Sequence, residues 1–184
     1  TLSKISALKK LSGEWYRIGR ADIAGYRAEE VAALSETEET WSIAGTTYAI
    51  CIQRAEEQKV KDFCTERAVN AFETAISINP SNTTNRVNLS LCYTENPPAN
   101  NPMKGVLMLV DLSKKHPENP LVLSSLGRLA IKTGQFEKAK ERLEKAFSID
   151  NKNKDVVCLL AKTYKELRIE EKAATFENMC SKLN

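Results

Sequence analysis

The chain has 184 residues, 42% hydrophobic and 28% charged, a globular rather than a disordered composition. Seven glycines and six prolines are too few for a collagen-like, linker-like or turn-rich β-sandwich protein, and together with 7% aromatics they favour helices. A net charge of +3 is too balanced to signal nucleic-acid binding by bulk charge. The longest apolar run, Gly105–Val110, is far short of the about 18 residues that a membrane span needs.

Residues 1–37 carry two apolar stripes, Leu8, Leu11, Trp15, Ile18 and then Ile23, Tyr26, Val31, Leu34, and predict two helices. The next block reads Trp41-x2-Ala44-Gly45-x2-Tyr48, then Ala68-x3-Phe72, Ala75 and Pro80. It predicts helices over Trp41–Gln58 and Lys61–Ile78, with Gln53–Lys61 lengthening one or both. A third block holds Leu89, Ser90 and Tyr93, then Gly105, Leu109, Leu112 and Pro117. Its helices are expected over Asn85–Tyr93 and Met103–Lys115, separated by the Pro- and Asn-rich turn Glu95–Pro102. The fourth block is the clearest. Leu123, Leu126, Gly127 and Ala130 form one helical stripe, Thr133-Gly134-Gln135 breaks it, and Phe136, Ala139, Leu143, Ala146 and Phe147 form a second. The helices expected are Leu121–Lys132 and Phe136–Ser148. The last block repeats this order with Val157, Leu160, Ala161 and Tyr164, then Ala173 and Cys180, over Asp155–Glu166 and Ile169–Ser181.

Pro120 to Asn153 is thus a helix–turn–helix of 34 residues, and it resembles the tetratricopeptide repeat (TPR), whose pattern is W-x2-L-G-x2-Y…A-x3-F…P. Residues 38–184 resemble four such repeats, 38–82, 83–119, 120–153 and 154–184, with departures confined to the inter-helix turns. Residues 1–37 stand as an N-terminal cap or a degenerate repeat. The resemblance implies an all-α, right-handed superhelical solenoid of antiparallel helix pairs, continuous over 38–184, with first helices lining the concave face. The small residues Gly45, Ser90, Gly127 and Ala161 fall where paired helices approach closely.

The family's concave positions, carried over residue by residue, are Glu39, Ser42, Ile43, Thr46, Ala49 and Ile50 in the first repeat. They are Thr84, Val87, Asn88, Leu91, Thr94 and Glu95 in the second. The third repeat gives Leu121, Ser124, Ser125, Arg128, Ile131 and Lys132, and the fourth Asp155, Cys158, Leu159, Lys162, Lys165 and Glu166. The candidate peptide-binding residues are Asn88, Ser124, Arg128, Lys132, Lys162 and Lys165. The last four form a basic strip, either a solvated face or a site for an acidic segment or a C-terminal carboxylate. In the register of the co-chaperone carboxylate clamp the positions read Ser42, Thr46, Asn88, Leu121 and Ser125. Only Asn88 fits, so a chaperone-tail clamp is disfavoured.

The implied function is a non-catalytic scaffold for a protein or peptide partner, with no nucleic acid and no membrane span in this chain. Self-association as a homodimer is the alternative, as is a helical domain of a larger enzyme assembly; a monomer or a homodimer is expected. No catalytic residues, metal ligands or cofactors are expected, because no H-E-x-x-H, G-x-S-x-G or Gly-rich phosphate loop occurs. His116 ends a helix, where a cation suits the dipole. Glu29-Glu30, Glu56-Glu57 and Glu170-Glu171 read as surface pairs, and Trp15 and Trp41 as core aromatics.

Cys51, Cys64, Cys92, Cys158 and Cys180 contain no C-x-x-C. Their odd number reads as five reduced, mostly buried thiols, leaning the localisation towards the cytoplasm. A periplasmic or membrane-anchored setting is the alternative if an N-terminal segment was removed before Thr1.

Overall fold

The computed structural model describes residues 2–183, with ten helices and no strand among them. It divides into two compact units, Thr1–Val106 and Leu107–Asn184. The first holds α1 (Leu2–Arg17), α2 (Ala21–Ser35), α3 (Glu38–Arg54), α4 (Gln58–Ile78) and α5 (Thr83–Glu95). Helix α6 (Lys104–Lys115) starts at its end. The second holds α7 (Pro120–Lys132), α8 (Phe136–Ile149), α9 (Lys154–Glu166) and α10 (Glu170–Lys182).

Capping residues set where the first helix of each pair begins. Thr37, Asn82, Asn119 and Asn153 precede α3, α5, α7 and α9, and each side chain accepts a hydrogen bond from a backbone N–H of the first turn. Such caps contribute about 1 kcal/mol each. This is why α3 starts at Glu38, three residues before the expected Trp41. The extra length of this pair lies in both helices: α3 has 17 residues and α4 has 21, with a break only at 55–57.

Within three pairs the helices turn on a left-handed residue. Gly19 and Gly134 have φ of 85° and 70°, and Arg168 has φ of 57°. After each, one backbone N–H reaches back five residues: Arg20 to Trp15 at 2.9 Å, Gln135 to Ala130 at 2.8 Å and Ile169 to Tyr164 at 3.0 Å. The turn that joins α7 to α8 and α9 to α10 therefore also joins α1 to α2. Helices α1 and α2 are thus an antiparallel pair joined by the same kind of turn as the later pairs.

The core of the first unit is rich in alanine: Ala28, Ala32, Ala44 and Ala71 cluster, with Trp41 packed against them. Small residues let the backbones come close, and Tyr48 and Phe72, both 0% exposed, fill the remaining space. Trp15 and Trp41 are half-buried rather than central. A Cβ at Gly45 would lie 2.8 Å from the Phe72 ring. In the second unit Leu123, Ala139, Leu143, Leu160, Tyr164 and Ala173 belong to one cluster that Phe147 and Phe176 complete.

The cysteine reading is overturned. Cys51 of α3 is bonded to Cys64 of α4, and Cys158 of α9 to Cys180 of α10. Cys92 alone is free, and it is buried. Each bridge joins the two helices of one pair, so the spacings of 13 and 22 residues reflect a helix, a turn and a helix. The odd count of five reduced thiols therefore gives no support to a reducing compartment.

Candidate binding grooves

The first unit contains a cleft of about 720 Å³ lined by α1, α3 and α5. Along α3 it presents Glu39, Ser42, Ile43, Thr46 and Ile50, and along α5 Thr84 and Asn88. All seven are carried-over concave positions. Ala49, Leu91, Thr94 and Glu95 are not among the lining residues, and Val87 is fully buried. Helix α1 adds Lys9, Ser12, Gly13 and Tyr16. Sequence reasoning missed these four, because the family pattern is matched only from Glu38 onwards.

A polar network lies at one end of this cleft. Glu38 Oε1 accepts from Asn82 Nδ2 at 2.8 Å and from Asn85 Nδ2. Ser42 Oγ lies 3.0 Å from the same carboxylate oxygen and 2.7 Å from Asn85 Oδ1, its one proton serving either. Asn85 is only 1% exposed, so its amide depends on these partners. The network ties α3 to α5 and fixes the helix spacing that opens the cleft. Asn88, one turn further along α5, is half-buried. It makes no side-chain hydrogen bond to another described residue, which leaves both its donor and its acceptor capacity available.

In the second unit Arg128, Lys132, Lys162 and Lys165 are all exposed. Arg128 Nη2 lies 3.6 Å from Asp155 Oδ2, joining α7 to α9, and Lys165 Nζ lies 3.7 Å from Glu177 Oε1. These are long, solvated pairs, worth at most about 1 kcal/mol. Ser124 is half-buried and returns its hydroxyl to the Leu121 carbonyl at 3.1 Å, a bond within its own helix. The basic strip therefore carries acidic neighbours, while the N-terminal cleft combines amides, hydroxyls and apolar side chains with Lys9, Glu38 and Glu39.

Glu29 does not behave as a surface residue. It takes the Tyr48 phenolic proton at 2.7 Å and an Arg67 guanidinium N–H at 3.0 Å. The second unit repeats this arrangement with Tyr164 and Glu144, and Lys172 at 3.5 Å from Glu144. Burial first, and the carboxylate second, hold both phenols above the ordinary tyrosine range.

Among the described residues no group of three His, Cys, Asp or Glu is placed to hold a metal ion. No described helix is long and apolar enough to cross a membrane.

Residues 122–153 match the sequence model of the tetratricopeptide repeat. The chain thus contains a tetratricopeptide repeat over these residues. Its fold is that of solved TPR structures along nearly its whole length. A thermophilic TPR protein in Thermus thermophilus superposes with a TM-score of 0.68 at 15% identity, over 97% of this chain and 91% of that one. Pseudomonas aeruginosa pilF gives 0.62 at 14% identity, over 99% and 77%. MamA from Desulfovibrio magneticus RS-1 gives 0.55 at 17%, over 98% and 94%. No curated protein sequence matches the chain significantly. The repeat and these likenesses together show an all-α, TPR-like fold.

Proposed function

We propose that this TPR-like protein is a non-catalytic scaffold that holds a protein or peptide segment against its first helices. One observation carries the reading: a cleft of about 720 Å³ in the first unit is lined by carried-over concave positions of two repeats and by α1. At its wall the half-buried Asn88 amide is unspent. A peptide backbone supplies one donor and one acceptor per residue and matches such an amide. The hydroxyls of Thr46, Thr47 and Ser12 already bond backbone carbonyls, so Asn88 is the specific polar contact and Ile43 and Ile50 the apolar ones.

The acidic character of the partner belongs to the second unit. Arg128, Lys132, Lys162 and Lys165 sit on the helices that carry the concave positions. The Asp155 and Glu177 pairings are weak enough for a partner carboxylate to replace. The two disulfides support an oxidising setting for this binding, since such bonds are rare in reducing compartments.

The test is selection from a phage-displayed random peptide library on the oxidised chain. Asn88→Arg and Thr46→Arg are expected to abolish capture of the selected peptides. Substitution of the exposed Glu73 of α4 should leave capture intact. Capture that survives both cleft substitutions contradicts the reading.

A second reading, self-association, is favoured by one feature of α1. The helix has no fully buried residue, and it leaves Leu11 40% exposed, with Ile18 just beyond it 61% exposed. Light scattering on the purified chain distinguishes the two: a monomer at micromolar concentration removes self-association, and a dimer lost on Ile18→Glu supports it.

A further inference from the structure

The two disulfides sit in different surroundings. Cys51 and Cys64 are 4% and 0% exposed, and α4 is held in addition by the buried side chains of Ala68, Ala71, Phe72 and Ala75. Removing that bridge leaves a packed helix in place. Cys158 and Cys180 are both partly exposed. Helix α10, which carries Cys180, has a single buried residue, Ala173. Beyond it, the helix is held by the half-buried Phe176, whose ring lies 5.2 Å from that of Phe147 and 5.4 Å from that of Tyr164. Among the described residues the helix is also linked by the exposed ion pairs Lys165–Glu177 and Lys172–Glu144 and by Lys172 over the Tyr164 ring at 5.1 Å.

We infer that Cys158–Cys180 is a redox-sensitive staple: its reduction releases α10 from α9, while Cys51–Cys64 is a permanent structural bond. Thiol–disulfide exchange needs a thiolate to reach a sulfur along the S–S axis, so access governs the rate. A dithiol reductant attacks one sulfur of Cys158–Cys180, breaking that bond and forming a mixed disulfide. Its second thiol then closes the reductant's own disulfide. The chain gains two electrons and two protons as two thiols, and the reductant loses them.

Loss of the bridge leaves α10 held by one buried alanine and one half-buried aromatic, Phe176, with its two ring contacts, too little apolar burial to offset the backbone entropy of 13 ordered residues. Release uncovers Tyr164 and Phe147 and takes Glu177 away from Lys165. The chain then presents a new apolar surface and a less neutralised basic strip. That last consequence rests on the groove reading; the staple does not.

Timed reduction with dithiothreitol, alkylation and peptide mass spectrometry measure the order of opening. Cys158 and Cys180 are expected to become alkylated about tenfold faster than Cys51 and Cys64. Limited trypsin digestion reads the structural result without a partner. The double variant Cys158→Ser with Cys180→Ser should be cut rapidly after Lys165, Arg168 or Lys172. Oxidised wild type should resist there. Simultaneous reduction of the two bridges, earlier opening of Cys51–Cys64, or a double variant as resistant as wild type would each overturn the inference. If the double variant fails to fold, wild type digested after partial reduction gives the same reading.

Discussion

Tyr48 of α3 donates its phenolic proton to Glu29 of α2 at 2.7 Å, while its ring is 0% exposed. Tyr164 of α9 does the same to Glu144 of α8. In both cases the tyrosine lies in the first helix of a pair and the glutamate in the second helix of the pair before it. The helix following the tyrosine supplies a cation, Arg67 or Lys172. The arrangement ties each pair to its predecessor, and its presence at Glu29 places α2 in the role that α8 plays later.

Both phenols are held above their ordinary value by burial, with the carboxylate adding to it. Below the unfolded tyrosine pKa of about 10 their contribution to stability is complete. Above it the unfolded chain releases protons that the folded chain keeps, so stability falls as pH rises. Denaturant midpoints measured from pH 8 to about pH 11 should therefore drop at the alkaline end. Tyr48→Phe should flatten that drop. A slope unchanged in Tyr48→Phe would show that the phenol does not titrate differently on unfolding. Glu29→Ala, which orphans a buried hydroxyl, should cost about 1–3 kcal/mol at neutral pH.

Gly127 of α7 lies against Leu143 of α8. A Cβ there would sit 2.6 Å from Leu143 Cγ. Gly127→Leu should destabilise by about 1–3 kcal/mol or more through overpacking. A melting temperature equal to that of wild type would contradict the close crossing.

Arg168 occupies the left-handed position that Gly19 and Gly134 fill in the other turns. A left-handed non-glycine residue costs roughly 1–2 kcal/mol. Arg168→Gly should recover about 1 kcal/mol of this, part of it offset by the greater freedom of glycine in the unfolded chain. Thermal melts decide it: the expected shift is upward, and a lowered midpoint would mean that the Arg168 side chain contributes more than its backbone costs.

Cys92 is 2% exposed, and burial pushes its thiol up to about 12. The native oxidised chain should therefore give almost no reaction with a thiol reagent at about pH 8, and one equivalent after denaturation. Reduction of both bridges should lower stability by about 3 kcal/mol for each loop closed. Five reactive equivalents in the denatured, unreduced chain would contradict the pairing.

The helical pairs were legible because their faces are periodic. Leu123, Leu126, Gly127 and Ala130 give α7 to within one residue of its start, and Phe136 opens α8 as expected. The start of α3 was misplaced because the cap, Thr37, is not part of the apolar pattern that located the helix. The disulfides were missed for a related reason. Spacing along the chain says little about distance across a turn. Yet Cys51 and Cys64 lie at similar distances from the break at 55–57, and Cys158 and Cys180 from the turn at Arg168. Placed on the expected helix pairs, both could have been read as neighbours. Of the candidate site, the positions on α3 and α5 followed from the repeat pattern. The contribution of α1 did not, because residues 1–37 match the pattern only in their turn and in Glu29, features that emerge from three-dimensional structure. The carboxylates beside Arg128 and Lys165 were visible as residues, but their pairing depends on side-chain reach.

The most direct test of groove binding compares charge reversal on and off the concave positions. A short synthetic acidic peptide, of the kind the second unit's basic strip would hold by itself, is measured by fluorescence anisotropy against Arg128→Glu with Lys162→Glu, and against Lys138→Glu with Lys145→Glu. All four residues are exposed, so both variants should keep the wild-type melting temperature to within a few degrees. The account predicts about a tenfold or greater loss of affinity for the first variant, little change for the second, and weaker wild-type binding as salt rises, because exposed charges are screened over about 8–10 Å. Equal losses from the two variants, or none from the first, would contradict it.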